Sequence, residues 1–147
     1  MSTPTTILET ARLIVRPATV EDVDLYYDLW TNPRVMQSVG FPKGLRISRE
    51  DIEARIAEQM TRMGDPPYAT EAVLDQLLVV VLKATGEAVG ECKLGAPDED
   101  GVAEPDTKLL PAYWGHKYGT EVWQALVDYL FTHTDCATVA GSPNVNN

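Results

Sequence analysis

The spacing of apolar residues along the chain changes between a strand period and a helix period. Residues 13–17 form a short apolar strand that ends at a proline, and residues 77–82, LLVVVL, are apolar at every position, which predicts a strand buried on both faces. A turn at residues 84–87 leads into a second strand at residues 88–94, and a third strand is predicted at residues 107–110. These strands predict a mostly antiparallel sheet.

Helical spacing marks three other segments. The first segment begins after an N-cap at Thr19 and stops at Pro33. The second lies between Ser48 and Gly64, and the third follows a glycine-bearing loop. We expect their apolar stripes to face the core. The stripes are Val23, Tyr26, Tyr27 and Trp30, then Ile52, Ile56, Met60 and Met63, then Val122, Ala125, Leu126, Tyr129 and Leu130. A last strand at residues 137–140 completes a strand–helix–strand crossover, which implies local parallel pairing.

Length and charge limit the function classes. The 147 residues suit a single domain that spans residues 1–147. The chain has 22 acidic and 12 basic side chains, a net charge of −10, which repels nucleic-acid phosphates and attracts amines or basic peptides. A solubilising surface explains the same charge. We expect no nucleic-acid partner.

Two further features bear on metal sites and location. Cys92 and Cys136 lie in segments predicted as strands, and neither belongs to a CxxC pair or has histidines at zinc spacing, so we expect reduced core cysteines and no metal. The first six residues lack the basic-then-apolar pattern of a secretory signal, and no apolar run approaches the roughly 20 residues that cross a bilayer. We expect a cytoplasmic protein without a membrane partner.

The glycine-bearing loop, residues 114–121 with the sequence WGHKYGTE, joins the third strand to the third helix. The first turn of a helix leaves backbone N–H groups unpaired and carries the positive end of the helix dipole, so such a loop can hold phosphates. The sequence therefore predicts a phosphorylated ligand. Neither GxxxxGK[ST] nor GxGxxG occurs, which counts against a nucleotide-binding protein that uses this loop.

Three patterns, in this order, give the chain a family resemblance. They are ETARLIVRP at residues 9–17, with Glu21, Asp22 and NPRVM at residues 32–36; TGEAVG at residues 85–90; and PAYWGHKYGTE at residues 111–121. On these residues the chain resembles the GNAT acetyltransferase superfamily almost from end to end, in particular the branch of ribosomal-protein alanine N-acetyltransferases. The resemblance implies an α/β (α+β) fold, a mixed and mostly antiparallel sheet flanked by helices, with coenzyme A wedged where two strands diverge.

The resemblance also implies a reaction. An N-acetyltransferase of this family takes an acetyl group from its co-substrate acetyl-CoA to a primary amine, by direct attack in a ternary complex and without a metal. A protein N-terminus and a small amine are both candidate substrates. The alternative is a non-catalytic GNAT-fold module that binds acyl-CoA or a protein partner.

Site residues follow from the same resemblance. The general base would be Glu104 or Asp106, on or beside the strand before the loop, with Glu91 on the neighbouring strand as a third candidate, and each is otherwise a plain structural carboxylate. Backbone N–H groups at Leu109 and Leu110 would stabilise the oxyanion and pair with pantetheine. The residues implied in coenzyme A binding are Trp114, Gly115, His116, Lys117, Tyr118, Gly119 and Thr120, with Asn147 on the pantetheine.

The chain departs from the family at two places. Lys117 replaces the central glycine of the pattern (Q/R)-x-x-G-x-(G/A), in which Trp114 takes the first position and Gly119 the last. The lysine either weakens coenzyme binding by its bulk or pairs its ammonium with a phosphate. Residues 144–147, NVNN, resemble the approach to the family's N-x-x-S element, after which relatives continue with a helix and strands. We therefore expect a C-terminally incomplete domain with an open sheet edge. A truncated sequence, and completion by the partner subunit of a homodimer, are the alternatives.

Overall fold

The computed structural model describes residues 6–66 and 68–141, which form two sheets, five α-helices and three short 3-10 helices. The strands are β1 (Leu8–Glu9), β2 (Leu13–Pro17), β3 (Leu78–Leu82), β4 (Ala88–Lys93), β5 (Val102–Ala103), β6 (Asp106–Leu109) and β7 (Thr138–Val139). The helices are α1 (Val23–Thr31), α2 (Pro33–Met36), α3 (Arg49–Met63), α4 (Thr70–Val73) and α5 (Tyr118–His133). No helix in this described part of the chain is long and apolar enough to cross a membrane.

The main sheet has the strand order β1-β2-β3-β4-β6, and each neighbouring pair is antiparallel. This confirms the predicted mixed α/β fold with a mostly antiparallel sheet. β3 lies in the middle, and its run of apolar residues is explained because both faces are covered. Val79 belongs to the apolar cluster formed with α1 and α3, whereas Leu78 and Val80 belong to the cluster formed with α5.

The chain leaves strand conformation between Ala103 and Asp106, so that β5 and β6 belong to two different sheets. β5 and β6 are separated by two residues, Glu104 and Pro105, and proline cannot donate to a strand ladder. β5 pairs in parallel with β7 in a separate two-stranded sheet, whereas β6 continues beside β4. The predicted parallel pairing around α5 is therefore confirmed, although β7 pairs with β5. Among the described residues, the other edge of β6 carries no strand.

The structure corrects several details of the predicted elements. Met60 is 42% exposed and leaves the predicted stripe of α3, because Gln59 turns inward. The Gln59 amide donates from Nε2 to the carbonyl of Leu77 at 3.0 Å and accepts from its N–H at 2.7 Å, which fixes the chain just before β3.

Cys136 precedes β7 and is not in a strand. Both cysteines are free and buried. Pro33 ends α1 but also begins α2, and the strands β1 and β5 and the helices α2 and α4 were not predicted.

Candidate functional site

The open edge of β6 displays main-chain groups of Leu109. The N–H of Leu110 donates to the carbonyl of Val89 on β4 at 3.0 Å. Main-chain groups of successive residues in an antiparallel ladder face opposite sides, so those of Leu109 face away from β4. The indole Nε1–H of Trp114 donates to the Leu109 carbonyl at 2.9 Å from that side. Of the two predicted oxyanion donors, the amide of Leu110 is therefore engaged in the sheet and the amide of Leu109 faces the open edge.

Gly90 allows β4 and β6 to approach each other. A Cβ at this position would lie 2.3 Å from the carbonyl oxygen of Lys108 and 2.5 Å from a methyl carbon of Leu109. Contacts of that length are not tolerated, so any side chain would displace the edge strand. The glycine that ends the TGEAVG pattern is therefore explained by the packing of the strand that carries the open edge.

The loop after β6 ends in a left-handed turn at the start of α5. Lys117 has φ 63° and ψ 21° and is the one non-glycine residue of the described chain with positive φ. The lysine thus adopts a backbone conformation that glycine takes at lower cost, at the position where the family has glycine. Glu121 makes the first helical bond, from its N–H to the carbonyl of Lys117 at 3.0 Å, and no side chain caps the helix. The preceding amides, of residues 118–120, therefore face the end of the helix without helical partners.

A polar network ties this helix end to the turn between β1 and β2. The Glu121 carboxylate accepts from Nε of Arg12 at 2.7 Å, from the Arg12 N–H at 3.0 Å and from the Thr10 hydroxyl. Arg12 also donates from Nη2 to the carbonyl of His116 at 3.0 Å and lies 4.5 Å from the ring centre of Tyr118. Partial burial alone would raise the pKa of Glu121, but the hydrogen bonds from Thr10 and Arg12 outweigh it and lower the pKa. The ETARL pattern is thus a support for the loop.

A cavity of about 320 Å³ adjoins β6 on the face of the sheet that α1 and α3 cover. One part of its lining is apolar and comes from the helices and the loop after α2, and the other is charged and comes from β4 and β6. The lining residues are Trp30, Met36, Val39, Phe41, Leu77, Glu91, Cys92, Lys93, Asp106 and Lys108. The cavity and α5 therefore lie on opposite faces of the sheet, with β6 at the edge between them.

Three charged side chains form a cluster in this cavity. Lys108 bridges two carboxylates: its Nζ contacts Asp106 and lies 3.6 Å from Oε1 of Glu91, its cross-strand partner. Oε1 of Glu91 also accepts from the Trp30 indole at 2.6 Å, and the residue is only 6% exposed. Burial raises the pKa of Glu91 despite the opposing effects of Lys108 and Trp30. Burial lowers the pKa of Lys108, but the charges of Glu91 and Asp106 outweigh it and raise the pKa.

The predicted bases are divided between two places. Asp106 lies in the cluster with Glu91, whereas Glu104 is exposed and lines a different cavity of about 290 Å³, together with Asp75 and Lys93. The break at Pro105 separates them although they are two residues apart in sequence. Glu91, the third candidate, is the most buried of the three carboxylates. Their roles stay predictions.

The remaining predicted residues cluster at the start of α5. Gly115, His116, Lys117 and Thr120 are exposed, and the ring of His116 stacks on Tyr118 at 5.3 Å. Asn147 lies outside the described residues. The sequence reasoning missed Lys108 and the contact of Trp30 with the cluster. Lys108 could have been found from its strand spacing to Asp106, since alternate residues share a face.

Another cavity lies at the far end of α5 from the loop. It measures about 630 Å³ and is lined at one side by residues 132–135. A helix of 16 residues spans about 24 Å, so this cavity is distant from the α5 N-terminus, and it touches none of the predicted site residues within the described chain. Among the described residues, no group of three or more His, Cys, Asp or Glu side chains could hold a metal ion.

Comparisons with known proteins agree with this architecture. The model of the family described as "Acetyltransferase (GNAT) domain" matches residues 12–147. An uncharacterized N-acetyltransferase p20 from Bacillus licheniformis is 30% identical over 126 residues, which cover 85% of this chain and 66% of that protein. The chain therefore spans slightly less than two thirds of the length of this curated relative.

Solved structures share the fold at lower identity. A GNAT-family acetyltransferase from Bacillus anthracis has a TM-score of 0.64 and 19% identity, with 85% of this chain and 66% of that chain covered. The ribosomal L7/L12 alpha-N-protein acetyltransferase RimL, in complex with coenzyme A, has a TM-score of 0.63 and 16% identity, with coverages of 88% and 70%. Spermidine N-acetyltransferase from Vibrio cholerae, in complex with CoA and spermine, has a TM-score of 0.61 and 16% identity, with 83% of this chain and 65% of that chain covered. Because the family model spans nearly the whole sequence, the chain belongs to the GNAT acetyltransferase family.

Proposed function

We propose that this chain is the catalytic domain of an N-acetyltransferase, which transfers the acetyl group of acetyl-CoA to a primary amine by direct attack in a ternary complex. One observation carries the proposal. The open edge of β6, with the Leu109 amide on it, lies between the uncapped end of α5 and a cavity that contains carboxylates. Membership of the GNAT family, and the coenzyme A in the complexes of RimL and of spermidine N-acetyltransferase, support it.

The coenzyme would bind along the edge and the loop. Pantetheine carries amide groups, which can pair with the main chain of an open strand edge. The diphosphate would accept hydrogen bonds from the amides of Tyr118, Gly119 and Thr120, where the positive end of the helix dipole favours it. Because Lys117 is exposed beside these amides, its ammonium would pair with a phosphate, which is the alternative that we favour over steric exclusion.

The amine would enter the cavity from the other face of the sheet. Amines are largely protonated at neutral pH, so a carboxylate must accept a proton before the nitrogen can attack. We assign this role to Glu91, because it lines the cavity and burial raises its pKa, which makes the carboxylate a better proton acceptor. Asp106 lies in the same cluster, where its charge raises the pKa of Glu91, whereas Glu104 lines the other cavity.

The step conserves atoms and charge. The amine nitrogen bonds to the thioester carbonyl carbon, and the oxyanion that forms accepts a hydrogen bond from the Leu109 amide. The carbon–sulfur bond then breaks and yields an N-acetyl amide. The carboxylate takes the first proton from the ammonium before attack and returns it to solvent. The second proton, which the nitrogen loses after attack, passes through solvent to the departing thiolate of coenzyme A. Both a protein N-terminus and a small amine fit this chemistry.

Thiol release and thermal stability test the proposal together. Acetyl-CoA at a hundredfold over its dissociation constant should add about 2.7 kcal/mol to the free energy of unfolding, and NAD should add none. In the presence of an amine panel that includes spermidine and an N-terminal alanine peptide, thiol should be released in an amine-dependent way. Stabilisation without thiol release would instead favour a non-catalytic module that binds acyl-CoA. No stabilisation would contradict coenzyme binding.

A further inference from the structure

We infer that Trp114 is a positioning residue, which covers the carbonyl of Leu109 so that the open edge of β6 presents only a hydrogen-bond donor at this residue. The inference rests on the proposed function, because the donor in question is the one assigned to the oxyanion. The observation behind it is the bond from Nε1 of Trp114 to the Leu109 carbonyl at 2.9 Å.

The electrostatic reason lies in the geometry of a strand edge. The N–H and the C=O of Leu109 face the same open side, one as a donor and one as an acceptor. A thioester oxygen that becomes negative is attracted by the N–H and repelled by the oxygen of a neighbouring carbonyl. The indole N–H of Trp114 occupies that carbonyl and offsets its partial negative charge. At Leu109 the open edge of β6 therefore favours a hydrogen-bond acceptor, such as the thioester oxygen.

The bond also fixes the peptide group between Leu109 and Leu110. The carbonyl of this peptide is held by Trp114 from the open side, and its N–H is held by Val89 from the β4 side. A peptide group bonded at both ends cannot rotate without losing one bond. The end of β6 is thus rigid at the place where the chain turns into the coenzyme loop.

Trp114 is itself held from two directions. Its ring packs against the apolar clusters on both faces of the sheet, and the guanidinium of Arg34 lies 5.1 Å from the ring centre. Arg34 belongs to α2, as does Met36, which lines the amine cavity. The tryptophan therefore lies between the helix beside the cavity and the edge that would hold the thioester.

Trp114→Phe tests this role, since it keeps an aromatic ring and removes the N–H. We expect kcat to fall about tenfold, short of the hundredfold or more that follows loss of a whole oxyanion donor, while KM for acetyl-CoA and for the amine stays within about twofold. Tyr113→Phe is the matched control. It removes, from the residue just before Trp114, a hydroxyl that donates to Glu87 at 3.0 Å, away from β6, and it should leave kcat unchanged. An unchanged kcat in Trp114→Phe, or a loss of kcat equal to that in Tyr113→Phe, would overturn the inference.

Amide hydrogen exchange on the free protein gives a second readout that needs no activity. In Trp114→Phe the Leu110 amide should exchange faster than in the wild type, because its peptide group has lost the bond at the carbonyl end, and in Tyr113→Phe it should not. If the wild type releases no thiol, the proposed function fails. If exchange at Leu110 is unchanged in Trp114→Phe, the positioning role fails, whatever the activity of the wild type.

Discussion

The carboxylate of Glu91 is the residue on which the proposed chemistry depends most directly. It must be ionised to accept a proton, and burial raises its pKa. The rate kcat/KM should therefore fall as pH falls through this raised pKa. In Glu91→Gln that acidic limb should vanish and the rate should drop by about 10²-fold or more, the usual contribution of a general base. The measurement is kcat/KM against pH, with thiol release as the assay.

Variants of two residues beside Glu91 should shift the acidic limb of this pH profile in opposite directions. The charge of Asp106 raises the pKa of Glu91, so Asp106→Asn should move the acidic limb to lower pH. The charge of Lys108 lowers that pKa, so Lys108→Met should move the limb to higher pH. Glu104→Gln provides the contrast, because Glu104 lies in another cavity. A limb that disappears in Glu104→Gln but persists in Glu91→Gln would show that Glu104 is the base.

Individual site residues were only partly predictable from the sequence. Glu104 and Asp106 are both candidates from the sequence because both lie on or beside the strand before the loop, and only the break at Pro105 sends them to different cavities. The sequence gives little weight to Glu91, because its burial depends on Trp30 and Lys108, which lie on other elements. Such contacts between distant parts of the chain are not visible in a local pattern.

At the scale of elements, the start of α5 combines a left-handed residue with a helix that no side chain caps. Replacing Lys117 by glycine or by alanine removes the same ammonium, so the two variants differ only in backbone preference. Lys117→Gly should be more stable to urea unfolding than Lys117→Ala by up to about 1 kcal/mol, since φ 63° costs alanine and not glycine. Both should raise KM for acetyl-CoA. An alanine variant as stable as the glycine variant would contradict the strained backbone at this position.

The elements themselves were predicted best where the apolar pattern was long. β3 is recognisable because every residue of it is apolar, and α5 because its apolar stripe keeps helical spacing from Val122 to Leu130. The stripe of α3 failed at Met60, where Gln59 instead turns inward to bind the main chain of Leu77. A buried polar residue that satisfies a strand end cannot be told from a surface residue by periodicity. The short strands β1 and β5 carry too few residues for any period.

At the scale of the whole molecule, the family patterns explain how the parts are joined. ETARL contributes Arg12, which ties α5 to the first hairpin, and the pattern continues to Arg16 and Asp22, which form a two-bonded ion pair at 2.8 and 2.9 Å between β2 and the start of α1. Gly90 of TGEAVG lets β6 lie against β4. The patterns were predictive of the fold because these contacts hold distant elements together, although the sequence does not reveal what each residue touches.

The central claim is that the edge of β6 and the end of α5 together bind acetyl-CoA. Residue-resolved amide hydrogen exchange with and without acetyl-CoA tests it most directly. The account predicts that acetyl-CoA slows amide exchange at Leu109, Gly119 and Thr120, and that NAD leaves the exchange rates of these three amides unchanged. Protection confined to the large cavity at the far end of α5, or no protection at saturating acetyl-CoA, would contradict it.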